Sequence, residues 1–240
     1  MKIRKNIIKA LLLIVLIAAI VGVSWYEVKT IEQKEHDRQY TAYDEIKNDI
    51  SLNLNLAKVA IMTKDTDLYH QSITNIDNRL EDAKQYPIIQ TEQAKALQRV
   101  QDYNNILKSR EAALREMASL YAIINTINET VSQSFGNAGA ITRDSLKGAS
   151  GIIEGLFIDT NNYHEKTVLA VVEKVNQILT QMRDSANKLS GCIDSCYQEN
   201  IVEISNEMSN SLGKMVEGFP EQNKAFIEEF QLNRLSESML

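Results

Sequence analysis

The strongest constraint on this chain is a hydrophobic repeat. After Pro87, the positions Ala96, Val100, Tyr103, Leu107, Arg110, Leu114, Met117, Tyr121 and Ile124 follow one another in alternating steps of four and three. Eight of the nine are apolar. Only a helix puts residues at that spacing on one face, and a strip of this kind must be covered by another helix. Three further seams share the spacing. They are Tyr69, Ile73, Ile76, Leu80 and Ala83; then Val168, Val172, Val175, Leu179, Met182, Ala186 and Leu189; then Tyr197, Ile201, Ile204, Met208, Ser211 and Met215. Two prolines and nine glycines in 240 residues leave few breaks. The pattern predicts an all-α chain forming an elongated up-down antiparallel helical bundle or coiled coil.

The start of the chain adds a second constraint. Ala10–Tyr26 is a run of seventeen uncharged residues, mostly Leu, Ile, Val and Ala. At about 1.5 Å per residue, a helix of that length just covers a hydrocarbon core roughly 30 Å thick. Lys2, Arg4, Lys5 and Lys9 precede it, and Trp25 and Tyr26 stand where an interfacial aromatic pair belongs. The expected element is a transmembrane signal anchor in an inner or plasma membrane. The N-terminus is then cytoplasmic and the bulk periplasmic or extracellular. The rival is a cleaved leader ending near Gly22-Val23-Ser24, although the run exceeds the usual length of a leader core. Both place the body outside the cytoplasm.

Charge excludes one class of partner. All 32 acidic residues follow the anchor, against 22 basic ones, a formal charge of −10 on the outer part. Such a body repels nucleic acid.

The expected organisation is a basic tail (1–9), the anchor (10–26), the first half of a bundle (27–130), a glycine-containing connector (131–162) and a helical hairpin with a short terminal helix (163–240). Helices are expected over about 27–63, 67–86, 90–130, 163–189, 196–217 and 221–235. Ser51–Leu56 alternates like a strand, but it lies inside a helical pattern and is read as helix. Five of the nine glycines fall between Phe135 and Gly155. That region is either a linker, a helix whose Gly148, Gly151 and Gly155 permit close packing, or a membrane-touching segment built on Ile152, Ile153, Leu156 and Phe157. Cys192 and Cys196 flank a turn after Gly191, and outside the cytoplasm such a pair is expected to form a disulfide. The alternative is two free thiols on one helix.

The layout of residues 1–130 resembles the four-helix-bundle sensor domain of bacterial chemoreceptors and some histidine kinases. The resemblance rests on the basic start, the span, the long first helix, the turn near Thr63-Lys-Asp-Thr-Asp-Leu-Tyr69, a shorter second helix and a long third one. It implies a module that dimerises and binds a small molecule or partner protein between helices. The second span and the cytoplasmic output domain of that family have no counterpart here.

Catalytic signatures are missing from the sequence. His36, His70 and His164 are isolated, and no G-x-S-x-G, P-loop or G-x-G-x-x-G occurs. The reading is non-enzymatic, with no cofactor and no metal. Candidate ligand or partner contacts are Arg110, the one charge in the long seam, and Asn53 and Asn55 in the first helix. The expected function is sensing or binding of a small molecule or partner protein by an anchored, dimeric module of the chemoreceptor kind. The alternative is a structural rod of the cell envelope. Polar groups converging on one cavity favour the first, and a filled apolar core the second.

Overall fold

The computed structural model describes the backbone of residues 2–135, 143–191, 201–203, 206–207, 210–211, 213–215 and 219–232, and their side chains except those of 2–21, 88, 134–135 and 143–147. The described residues form helices joined by turns and short irregular segments, with no strand among them. The helices are α1 (Lys2–Thr63), α2 (Thr66–Ala83), α3 (Pro87–Glu92), α4 (Ala94–Ser109), α5 (Glu111–Phe135), α6 (Arg143–Glu154), α7 (Lys166–Gly191) and α8 (Pro220–Glu228). A short 3-10 turn, Thr160–Asn162, precedes α7.

One helix carries the chain from the basic start into the bundle. α1 has 62 residues, roughly 93 Å at helical rise. Among the described residues no helix is long and apolar enough to cross a membrane. Most of the apolar run expected as the anchor lies outside the residues described with side chains. Where description begins, Val23, Trp25, Tyr26, Val28 and Ile31 are exposed. Packing starts at Gln39, not at Glu27, so residues 22–38 form a helical stalk without a core of their own. From there Tyr43, Ile46, Ile50, Leu54, Ala57 and Ile61 are buried, while Leu52 and Val59 face outward. The alternating stretch Ser51–Leu56 is helical throughout.

α2 returns along α1, and the two form the most extensive pairing in the fold. The turn between them is built from two caps. Lys64 takes a left-handed conformation (φ 60°), and Asp65 N–H donates back to the Ala60 carbonyl at 2.9 Å. This Schellman-type closure usually employs glycine. The Asp65 side chain then accepts from Leu68 N–H at 2.9 Å and caps α2. The seam Tyr69, Ile73, Ile76, Leu80 and Ala83 is wholly buried.

The long helix expected over 90–130 is three helices. Pro87 opens the short α3, with Tyr86 extended before it, as a residue preceding proline prefers. α4 follows, and the helix breaks again at Arg110 (φ −101°, ψ 0°). The seam continues across the break and widens beyond it. Val100, Tyr103 and Leu107 are buried before it as expected. After it Leu114, Met117 and Ile124 are buried as expected, Ala113, Leu120, Ile127 and Val131 join them, and Tyr121 is only partly covered. Tyr121 instead carries the Lys64 ammonium 4.2 Å over its ring.

The connector holds a helix. α6 packs closely on α7, burying Ala149 and Ile153. Its glycines do not create that contact, because a Cβ at Gly148 or Gly151 would meet nothing within 4 Å. The α7 seam is fully buried, with Val171 and Ile178 added. Glu116 from α5 caps the start of α7, accepting from the backbone N–H of His164 and of Glu165, both at 3.1 Å. A carboxylate at a helix N-terminus is favoured by the helix dipole. Residues 201–203 and 213–215 are helical and Met215 is buried. Cys192 and Cys196 lie outside the described residues, and so does the expected disulfide.

α8 ends earlier than expected, at Glu228, and docks deeply. Phe226 and Phe230 have no exposed surface. Phe230 meets Tyr69 edge-on (6.0 Å between centroids, 85°) and Phe226 likewise (5.2 Å, 70°). The Tyr103 hydroxyl donates to the Phe230 carbonyl at 3.0 Å.

Candidate functional site

Arg110 sits at the junction of α4 and α5, where its side chain leaves the seam. Its guanidinium lies 3.1 Å from the Glu229 carboxylate and 3.6 Å from that of Glu165. It therefore ties the helix break to the end of α8 and the start of α7. The break itself is held from the other side. The Tyr69 hydroxyl donates to the Leu107 carbonyl at 2.7 Å, and Arg110 N–H donates to the same carbonyl at 3.0 Å. Burial, then the nearby Tyr103 and Glu111, push the Tyr69 hydroxyl far above its ordinary pKa of 10.0. Glu111, at the first position of α5, lies 2.9 Å from His70 and 2.6 Å from Arg115. The charges around the break are thus paired within the chain.

Asn53 is buried between α1 and α2. Its amide donates to the Asp49 carbonyl at 2.8 Å, and its side-chain oxygen accepts from Asn75 at 3.2 Å. Asn55 is exposed. The three predicted contact residues share no partner among the described interactions, and none lines a described cavity. Asn104, fully buried, donates to the Ile73 carbonyl at 3.2 Å and to Asp77 at 2.7 Å. Asp77 also pairs with Lys108. This network crosses from α4 to α2 and escaped sequence reasoning because Asn104 stands beside a seam position, Tyr103. Among the described residues no three His, Cys, Asp or Glu side chains cluster as metal ligands would.

A cleft of about 560 Å³ opens between α5 and the segment Gly155–Tyr163. Ile123, Ile127, Leu156 and Phe157 contribute apolar surface, and Ser119, Asp159 and Tyr163 bring polar atoms to its lining. The segment is pinned by one side chain of α7. Asn176 accepts from Ile158 N–H at 2.9 Å and donates to the Ile158 carbonyl at 2.8 Å, satisfying both backbone groups. Asp159 turns the chain by accepting from Asn161 N–H at 2.9 Å. Arg183 stacks over Phe157 at 5.5 Å. Burial is the main cause that raises the Tyr163 hydroxyl, followed by the nearby Glu116. Sequence reasoning missed this site; the turn-forming run Asp159-Thr-Asn-Asn162 between two helical patterns is the local signal that could have pointed to it. Comparison with protein-family models, curated proteins and solved structures finds no match to this chain.

Proposed function

We propose that this chain is an N-terminally anchored, extracytoplasmic binding module without enzymatic activity, comparable in role to a chemoreceptor ectodomain. The observation that carries the reading is the continuity of α1. The basic start, the apolar run, the exposed stalk and the first bundle helix belong to one helix, Lys2–Thr63. A bundle on such a helix stands off from a membrane whose headgroups meet Trp25 and Tyr26. In this reading the acidic body lies in the periplasm or outside the cell, and it acts as a dimer with a small molecule or an envelope protein as its partner.

A structural rod is the second reading. It is favoured by a core whose buried polar residues are few (Gln39, Asn53, Ser72 and Asn104 among those described), and by the internal pairing of Arg110. A thermal-shift screen of the full chain in detergent against amino acids, organic acids and amines separates the two. A ligand at 100 times its dissociation constant adds about 2.7 kcal/mol to stability. A reproducible upward shift supports the binding module. A screen without any shift moves the assignment to the rod.

A further inference from the structure

We infer that the cleft between α5 and the Gly155–Tyr163 segment is a binding site for a small organic cation, an amine carried on an aromatic or branched aliphatic body. The inference rests on the binding-module reading and gives its ligand a chemistry.

Three features of the cleft carry it. The first is size and lining. A volume of about 560 Å³ lies within the range of small-molecule sites, and such sites combine an apolar wall with a few placed polar groups. Here Ile123, Ile127, Leu156 and Phe157 supply the apolar wall. The second is charge. Asp159 is the one formally charged residue in the lining, and its Oδ1 is held by Asn161 N–H. That hydrogen bond restrains the side chain of this exposed residue. The surrounding body is acidic, so cations are concentrated near its surface and anions are repelled. The third is preorganisation. The wall that carries Leu156, Phe157 and Asp159 is clamped at Ile158 by both ends of the Asn176 amide. A wall fixed before binding loses little freedom when a ligand arrives.

An apolar body against Ile127 and Phe157, with its ammonium directed to Asp159, matches the apolar wall and the charge of the lining. A carboxylate ligand would bring its charge to the same aspartate. A purely apolar ligand would leave the carboxylate without a counterpart.

The test is isothermal titration of the full chain in lipid nanodiscs, with empty nanodiscs as the blank. The probes are phenethylamine and its charge-reversed counterpart 3-phenylpropionate. Two variants accompany the wild type. Asp159→Asn keeps the oxygen that accepts from Asn161 and removes the charge. Ala122→Trp, at an exposed position of α5 in the lining, fills the cleft without entering the core. The expected result is saturable binding of phenethylamine, about fivefold weaker in Asp159→Asn as befits loss of a partly solvated ion pair, and abolished in Ala122→Trp. Equal binding of 3-phenylpropionate, or undiminished binding to either variant, would overturn the assignment. Absence of phenethylamine binding would also overturn it. In that case a shift with another ligand in the thermal screen leaves the binding-module reading standing, whereas a silent screen removes both.

Discussion

Phe230→Ala probes whether the end of the chain is an integral part of the bundle. Phe230 has no exposed surface, and its ring packs edge-on against both Tyr69 and Phe226. Truncating a buried phenylalanine to alanine costs about 3–5 kcal/mol, of which each edge-to-face contact accounts for roughly 0.5–1.5 kcal/mol beyond area burial. Taking about 4 kcal/mol, and about 2–4 °C per kcal/mol for a chain of this size, the melting temperature falls by roughly 8–16 °C. The assay is denaturant unfolding of the full chain in detergent, followed by far-ultraviolet circular dichroism. Phe230→Leu is the control, and it keeps most of the apolar volume and costs less than half as much. A loss below about 1 kcal/mol for Phe230→Ala would refute the docking of α8, because a side chain in that environment cannot be removed so cheaply.

Other consequences follow from named contacts. In a double-mutant cycle, Arg110→Ala and Glu229→Ala are expected to couple by about 0.5–1 kcal/mol, the range of a partly solvated pair; additive effects would show that the pair is not formed. Glu116→Ala is expected to lower stability by about 1–2 kcal/mol through loss of the α7 cap, and Glu116→Gln by less, since its amide oxygen still accepts from His164 and Glu165; equal losses would mean that charge alone matters. Tyr69 keeps its proton in the folded chain at a pH where the unfolded chain has lost it, because its folded pKa lies above the ordinary 10.0. Stability is therefore full below about pH 10 and declines as pH rises beyond it. Tyr69→Phe is expected to flatten that decline, and an unchanged alkaline slope would contradict the buried hydroxyl.

Helices were legible wherever a seam ran without interruption. The strips at Tyr69–Ala83 and Val168–Leu189 are buried residue for residue. The sequence pattern around Arg110 was legible as an anomaly but not as a break. Its heptad spacing continues across the residue, and what interrupts the helix is tertiary: Tyr69 takes the Leu107 carbonyl and Glu229 takes the guanidinium. No local rule counts such partners. α6 was open between linker and helix because glycine lowers helix propensity, yet Ala149 and Ile153 bury enough surface on α7 to override it. Asn53 was visible as a polar intrusion, and its partner Asn75 was not, since pairing across a turn depends on register. The cleft is a product of three separate segments, α5, Gly155–Tyr163 and the Asn176 clamp, and no spacing rule connects them.

An extracytoplasmic bundle on one anchoring helix, as proposed, puts Leu240 outside the cytoplasm, and a topology assay reads this. Alkaline phosphatase, which folds to its active form outside the cytoplasm, is fused after Leu240 of the full chain and assayed in intact bacterial cells beside a fusion of green fluorescent protein at the same position. Phosphatase activity in the membrane fraction with a dark fluorescent fusion is the expected result. A fluorescent fusion with an inactive phosphatase would place the bundle in the cytoplasm and contradict it.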